Sequence, residues 1–294
     1  MKQKLIVLSL VAATVFSACT EKKNMEFPPV DESGYTLITA DIESLLFMEG
    51  KTVWPEDAAI GVYGTEKGNN EYYTIKEAGA GYSSASFYGP LVKGQITAYY
   101  PYNSSYVGSA EAMPVYIEDR QAFDPEVDIV ANYRAYTPTA FGYMADDKIK
   151  FVYPNGVLSL VFEGEEAVYI TDITVLSDSQ SISGHAVFNA DGSLEMTSNS
   201  NKSILLECAS AIPSVVDGKN TEFNVVLAPG TYSDLKLSIG FSGNDKKFIC
   251  NVPEITVRSI TAEEFTVTSM KINTTVPDGF EEENVEFEKE RREI

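Results

Sequence analysis

Histidine is almost absent from this sequence: His185, in ISGHAVFN, is the only one among 294 residues. A single histidine excludes multi-histidine zinc sites and the HExxH arrangement, which needs two. The sequence also lacks a P-loop and a GxGxxG fingerprint, so no phosphate- or dinucleotide-binding loop is predicted. No serine in a nucleophile-elbow pattern lies near His185, which we interpret as a structural strand residue. We predict that the protein is not an enzyme and uses no cofactor.

Basic residues are also scarce. The chain carries 22 lysines and arginines against 43 aspartates and glutamates, a formal net charge of −21. Nucleic acid and anionic membrane surfaces have the same sign of charge and repel such a chain, so we expect no nucleic-acid partner. Clustered acids such as Asp124, Glu126 and Asp128 do not form an EF-hand loop, and no metal site is predicted from them.

Long apolar runs are absent except near the start of the chain, over residues 5–16. This run has the length of a secretory signal and is shorter than the roughly 20 apolar residues that span a bilayer. The small residues Ser17 and Ala18 precede Cys19, a pattern typical of a bacterial lipoprotein signal. We predict a lipoprotein signal peptide over residues 1–18 and acylation of Cys19. The alternative is an ordinary signal peptide followed by an incidental cysteine.

The segment that begins at this cysteine, residues 19–33, is polar and contains a Pro-Pro pair, and we predict that it is a tether. Several acyl chains on Cys19 would anchor the tether stably, whereas one chain gives only marginal membrane binding. The folded part of the protein is then expected outside the cytoplasm, held to a membrane by its lipid.

Cysteine is otherwise limited to Cys208 and Cys250. They lack the CxxC spacing of redox and zinc sites. Strand alternation places each of them on the same face as neighbouring apolar residues, so both are expected to face a core. Two alternatives remain open: a disulfide between them, which an oxidising compartment would allow, or two buried free thiols.

The region from residue 34 to residue 275 is rich in Tyr, Phe, Val, Ile and Thr, with turn residues at intervals of about 8–12 positions, as in β-sandwiches. DLKLSIG alternates with period two, and GVLSLVFEG is a continuous apolar run that suits a strand covered on both faces. Asp191-Gly192 predicts a hairpin turn. Helix signals are sparse and fall within residues 108–133. We predict an all-β protein with tandem β-sandwich domains over residues 34–150 and 151–275.

The last segment, residues 276–294, is dominated by acidic side chains. Mutual repulsion and low apolar content disfavour its inclusion in a core, so we predict a mobile tail. The alternative is an extended segment that becomes ordered on a partner, with Val285 and Phe287 as its anchors.

Tyrosine is unusually dense in the first half of the region predicted to fold. Eight tyrosines fall within NNEYYTI, GYSSASFYGP and ITAYYPYNSSY, namely Tyr72, Tyr73, Tyr82, Tyr88, Tyr99, Tyr100, Tyr102 and Tyr106. Exposed rings could stack on sugar faces, which suits a carbohydrate-binding protein. Strand tyrosines also pack across neighbouring strands and keep their hydroxyls solvated, and we favour this structural interpretation.

Seven segments follow one another across residues 54–268: VWPEDAAIGVYG, ITAYYPYNSS, FDPEVDIVAN, KIKFVYPNGVLSLVFEG, ISGHAVFNADGSL, FNVVLAPGTYSDLKLSIGF and VRSITAEEFTV. In this order they resemble the fimbrillin-like (Mfa-like) lipoproteins, the subunits and relatives of type V pili. The resemblance is therefore nearly chain-wide.

The resemblance implies two sandwiches of transthyretin-like topology, lipoprotein export, and assembly by donor-strand exchange, in which an extended segment of one subunit fills the missing strand of the next. Main-chain hydrogen bonds give such pairing its affinity. Family subunits are usually released for polymerisation by cleavage after an arginine in the N-terminal region. Here the first arginine is Arg120, which favours an anchor or accessory protein that keeps its lipid over a shaft subunit.

Two functional hypotheses follow. The first is a lipid-anchored surface protein of the outer membrane that acts in pilus anchoring, pilus assembly or cell adhesion. Its partners would be other pilus subunits, bound by strand addition, or a ligand on a host or bacterial surface. The second is an outer-membrane carbohydrate-binding lipoprotein, motivated by the tyrosines. A secreted hydrolase is a third reading that no motif supports.

Overall fold

The computed structural model of this chain describes residues 35–42, 47–48, 51–52, 54–75, 83–127, 129–163, 167–243, 247–259, 267–273 and 285–286. Most of this backbone lies in β-strands and one short helix accompanies them, which confirms the predicted all-β class. No helix within these residues is both long and apolar enough to cross a bilayer. The predicted signal peptide, Cys19 and the tether lie outside the described residues.

Seven strands form a closed sheet, which we call the ring sheet. Their order is β1 (Tyr35–Ile42), β11 (Lys148–Val152), β10 (Ala140–Ala145), β7 (Ile96–Tyr100), β4 (Ala59–Gly64), β5 (Glu71–Ile75) and β6 (Ser84–Pro90). All neighbours are antiparallel except β1 and β11, which run parallel. A separate two-residue pair joins β2 (Phe47–Met48) to β3 (Lys51–Thr52).

The ring sheet lies between two hydrophobic clusters, an inner one that includes Trp54 and an outer one that includes Tyr63. Its strands therefore have apolar side chains on both faces. Along β4, Ile60 and Val62 face the inner cluster around Trp54, whereas Tyr63 belongs to the outer cluster. Successive side chains of a strand point to opposite faces, so a strand buried on both sides reads as a nearly continuous apolar run. The outer cluster also includes residues of a three-stranded sheet, β15 (Leu194–Asn201), β14 (Ser183–Asn189) and β8 (Ala112–Ile117).

Two further sheets share a third hydrophobic cluster. One has the order β19 (Glu222–Leu227), β12 (Gly156–Glu163), β24 (Val267–Asn273) and β25 (Val285–Glu286). The other has the order β22 (Phe248–Asn251), β21 (Leu235–Phe241), β13 (Tyr169–Ser177), β16 (Ser203–Pro213) and β9 (Arg120–Phe123). Leu158, Leu160 and Phe162 of the first sheet pack with Leu237 and Ile239 of the second. These alternating apolar residues therefore form a core between the two sheets.

The remaining elements are short. They are the strand pair β17 (Val215–Val216) and β18 (Lys219–Asn220), the pair β20 (Gly230–Tyr232) and β23 (Ile255–Val257), and helix α1 (Ile129–Tyr136). The helix overlaps the stretch where helix signals were predicted. The predicted Asp191-Gly192 turn connects β14 to β15, and Gly192 has φ +87°, a backbone conformation that favours glycine.

Strand pairing crosses the predicted boundary between residues 150 and 151. Strands β8 and β9 precede the boundary but pair with β14 and β16, which follow it. Hydrophobic alternation indicates which face of a strand is buried and carries no information about its partner. The division into domains over residues 34–150 and 151–275, and the transthyretin-like topology, remain predictions.

Candidate functional site

The first candidate surface is the edge of the sheet that contains β24. Strand β24 pairs in parallel with β12 along its whole length, from Val267 to Asn273. On its other side it pairs with β25, and the register places Lys271 opposite Glu286 and Ile272 opposite Val285. Residues 285–286 belong to the predicted mobile tail, so two residues of that tail are ordered as an edge strand. Phe287, the other predicted anchor, lies outside the described residues.

Within the described residues, two residue pairs join β24 to the tail, and Val267–Met270 have no strand partner on that side. Unpaired backbone N–H and C=O groups at a sheet edge can accept another strand. The β24 edge, defined by residues 267–272, is therefore a surface at which an extended segment could pair.

The opposite edge of the same sheet is closed by a side chain. Gln121 is 2% exposed, and its Nε2 donates to the carbonyl oxygen of Val226 on β19 at 2.6 Å. The backbone N–H of Val226 donates in turn to Gln121 Oε1 at 2.9 Å. The amide thus pairs with Val226 of β19 as a residue of a neighbouring strand would. Sequence reasoning missed Gln121 because its partner lies 105 residues away.

The dense tyrosines are mainly structural. Tyr73 and Tyr99 are buried, and Tyr99 OH donates to Asn70 Oδ1 at 2.7 Å and to the carbonyl oxygen of Asn103 at 2.6 Å. Tyr63 OH donates to the carbonyl oxygen of Tyr106 at 3.0 Å. Burial raises the pKa of Tyr99 above its ordinary value. These hydroxyls fix the loop after β7 on the outer face of the ring sheet.

Tyr72 is the exposed member of this set, with 49% of its surface accessible, and its ring lies edge-on to Tyr102 at 4.9 Å. Tyr100 packs against Trp54, at 5.4 Å between ring centroids. Tyr82 lies outside the described residues. The tyrosines therefore do not form one exposed platform, and Tyr99 is not available to stack on a sugar as the carbohydrate hypothesis requires.

His185 is exposed on β14, and its ring lies edge-on to Tyr116 at 5.0 Å. Within the part of the chain that the structure describes, no group of three His, Cys, Asp or Glu side chains could hold a metal ion. These positions agree with a packing role for His185.

Of the two alternatives for Cys208 and Cys250, the structure has the free thiols. Cys208 lies on β16 and Cys250 on β22, with β13 and β21 between them. Strands lie about 4.8 Å apart, so three strand spacings separate the cysteines by roughly 14 Å, whereas a disulfide requires Cα atoms within roughly 7 Å. Burial raises the pKa of each thiol to about 11, which disfavours the reactive thiolate.

Comparison with known proteins gives matches among solved structures. No family model matches the chain, and no curated protein matches it. A candidate cell adhesion protein from Bacteroides ovatus is similar with a TM-score of 0.49 and 14% identity, covering 85% of this chain and 96% of that chain. A fimbrial protein from Bacteroides vulgatus has a TM-score of 0.46 and 14% identity, covering 85% and 99% respectively.

The tip fimbrial protein Mfa3 from Porphyromonas gingivalis is also similar, with a TM-score of 0.40 and 11% identity, covering 87% of this chain and 98% of that chain. These solved structures are of fimbrial and cell adhesion proteins, and the chain is similar to each of them at a TM-score below 0.5. Because the identities are this low, we base the functional proposal on the residues and strand edges of this chain.

Proposed function

We propose that this protein is a lipid-anchored, fimbrillin-like surface protein of the outer membrane that anchors a pilus or mediates cell adhesion without catalysis. The observation that carries the proposal is the β24 edge, where, among the described residues, the chain's own tail pairs at two positions and Val267–Met270 pair with no strand on that side. An incoming extended segment would replace this short pairing with a longer one and gain main-chain hydrogen bonds.

The position of Arg120 supports an anchoring role over that of a released shaft subunit. Arg120 begins β9, which pairs with β16, and its Nη2 lies 2.6 Å from Glu207 Oε1. Cleavage after this arginine would cut β9, the strand that pairs with β16 at the edge of the five-stranded sheet. The region before it contains no arginine, so arginine-directed release of the tether has no site there, and the protein keeps its lipid.

Replacing Cys19 with alanine is expected to abolish incorporation of labelled palmitate and to release the protein from the membrane fraction. The thioether to the lipid needs the sulfur of this residue. The measurement is palmitate labelling of cells, followed by fractionation. Cys208→Ala is the matched control, since it removes a half-buried thiol and should leave labelling unchanged. Palmitate labelling that persists in Cys19→Ala would contradict the lipid anchor.

We take the incoming segment to be the tail of a second copy of this chain. Replacing Val285 with proline is then expected to abolish assemblies of the purified chain that resist SDS and collapse on heating. Proline removes a backbone N–H from the tail strand and disfavours pairing within a sheet. The matched control is Val285→Thr, which keeps the β-branched shape and the N–H. Electrophoresis with and without heating measures the assemblies.

Two outcomes would contradict pairing through the tail. Assemblies that survive in Val285→Pro would exclude residues 285–286 as the donor segment. A wild-type chain that is monomeric under all conditions would remove assembly by strand addition altogether and leave adhesion as the function.

A further inference from the structure

A cleft of about 320 Å³ lies where the ring sheet, the end of α1 and the strand β8 meet. Its size falls within the roughly 300–1,000 Å³ typical of small-molecule sites. Six of the residues that line it matter here: Tyr106, Pro114, Tyr116, Glu118, Tyr136 and Asn155. Sites of this kind occur where structural units meet, and sequence reasoning did not find it because its walls come from three separate parts of the chain.

The aromatic walls are held in place by contacts that leave ring surface available. Tyr106 OH donates to the carbonyl oxygen of Pro114 at 2.6 Å, and Tyr136 OH donates to that of Ala122 at 3.2 Å. Tyr116 packs edge-on against His185 and remains 45% exposed. With two of the three hydroxyls engaged, the tyrosines offer the cleft mainly apolar ring faces, which suit the C–H face of a flat ligand.

The floor of the cleft contains a buried acceptor without a donor. Asn155 is 1% exposed, its Nδ2 donates to Thr137 Oγ1 at 3.0 Å, and its carbonyl oxygen accepts from Tyr133 OH at 2.9 Å. These bonds fix the side chain, but Asn155 Oδ1 has no hydrogen-bond partner in the described chain. Buried polar atoms are normally hydrogen-bonded. This oxygen makes the inner wall of the cleft polar, whereas the acceptor that a ligand meets at the surface is the exposed Glu118.

The charge of the cleft restricts the ligand further. Glu118 is the one charged residue in the lining, which includes no lysine, arginine or histidine. The formal net charge of −21 adds a repulsive field for anions. A suitable ligand therefore donates hydrogen bonds, carries no negative charge and presents an apolar face.

We propose that this cleft binds a neutral sugar unit of a surface glycan. The C–H face of the sugar stacks on Tyr116 and Tyr136, and its hydroxyl groups donate to the Glu118 carboxylate. The inference names a ligand for the adhesive role proposed above. It also moves the predicted carbohydrate contact away from Tyr99, which is buried.

The test is titration calorimetry of the purified full-length chain with three kinds of probe. These are neutral methyl glycosides of glucose, galactose, mannose and N-acetylglucosamine, the anion glucuronate, and the cation n-butylamine. We expect saturable binding of at least one neutral glycoside and none of glucuronate. Tyr116→Ala should weaken this binding about 10-fold, as expected when a stacking ring is removed, and Tyr116→Phe should preserve it.

Two further variants define the site. Tyr169→Ala removes a tyrosine that is 53% exposed and absent from the cleft lining, and it should bind like the wild type. Glu118→Gln keeps an acceptor oxygen and removes the charge, so it should change glycoside binding less than about 3-fold while abolishing any binding of butylamine. Circular dichroism checks that each variant is folded.

Three results would overturn the inference: no glycoside binding, glycoside binding that Tyr116→Ala leaves unchanged, or binding of butylamine alone. None of these depends on acylation or on SDS-resistant assembly. A failure of the sugar site can therefore be distinguished from a failure of the proposed anchoring function.

Discussion

Replacement of Trp54 with alanine is expected to lower the free energy of unfolding by about 3–5 kcal/mol, the range for removing a buried tryptophan. Trp54 is 1% exposed at the centre of the inner cluster of the ring sheet. Its ring packs edge-on against Phe87 at 4.8 Å and Phe151 at 5.3 Å, and its Nε1 donates to the carbonyl oxygen of Ala40 at 3.2 Å. The alanine variant would leave a cavity among residues of β1, β6 and β11 and remove the hydrogen bond to Ala40.

Urea unfolding followed by circular dichroism measures this change. Trp54→Phe is the matched control, because it retains an aromatic ring and loses the N–H donor, and we expect it to cost about 1–2 kcal/mol. A value for Trp54→Ala within about 1 kcal/mol of the wild type would mean that this residue does not organise the ring sheet. Since Trp54 is the only tryptophan, its fluorescence in other variants reports the unfolding of this sheet.

The strands that sequence patterns predicted well are those whose buried residues can be identified from their neighbours in the sequence. In DLKLSIG, Leu235, Leu237 and Ile239 are buried, while Lys236 and Ser238 are partly exposed. Seven successive residues of β12, from Gly156 to Phe162, are buried, as the continuous apolar run predicted. These features depend on near neighbours in sequence and on the two-residue period of a strand, so one sequence suffices to find them.

Features that depend on strand order could not be predicted in this way. Cys208 and Cys250 both face the core, as strand alternation predicted. Whether their sulfur atoms are close enough to bond depends on which strands lie between them. The same limit applies to β9, which pairs in parallel with β16 although more than 80 residues separate Gln121 from its partner Leu206. Alternation specifies a buried face, whereas pairing is decided by packing across the whole core.

The sequence also could not predict which residues come together at the cleft and at the β24 edge. Asn155 follows β11 and Tyr116 lies on β8, so no local motif joins the amide to the aromatic ring. Only the alternative to a mobile tail names Val285 as an anchor, because it is apolar in an acidic segment, and nothing in the sequence indicates its pairing with Ile272. The chemistry of single residues thus indicated some members of these two surfaces, whereas their contacts with one another depend on the fold.

Replacement of Gln121 with glutamate is expected to destabilise the protein by about 3–5 kcal/mol near pH 7, the cost of a buried charge without a partner. A carboxylate could still accept from the N–H of Val226, but it would place a negative charge against the carbonyl oxygens of Val226 and Glu118. In the wild type, Gln121 Nε2 donates to these oxygens at 2.6 and 3.0 Å. The change therefore turns two hydrogen bonds into repulsive contacts at a residue that is 2% exposed.

The loss of stability in Gln121→Glu should depend on pH in a predictable direction. Burial would raise the pKa of the introduced carboxyl group in the folded state above the roughly 4.3 of an exposed glutamate. The folded state would then bind the proton more tightly than the unfolded state, so stability relative to the wild type should rise as pH falls. Protonation also restores an O–H donor to one of the two carbonyl groups.

Urea unfolding between about pH 5 and pH 8, followed by Trp54 fluorescence and by circular dichroism, measures this dependence. The matched control is Gln121→Met, which keeps the length of the side chain and leaves the N–H and C=O of Val226 unpaired without adding charge. It should cost about 2–4 kcal/mol at every pH, because each unpaired buried group costs about 1–3 kcal/mol. If Gln121→Glu and Gln121→Met differ by the same amount throughout this range, then the amide of Gln121 does not close the β19 edge in the way its hydrogen bonds indicate.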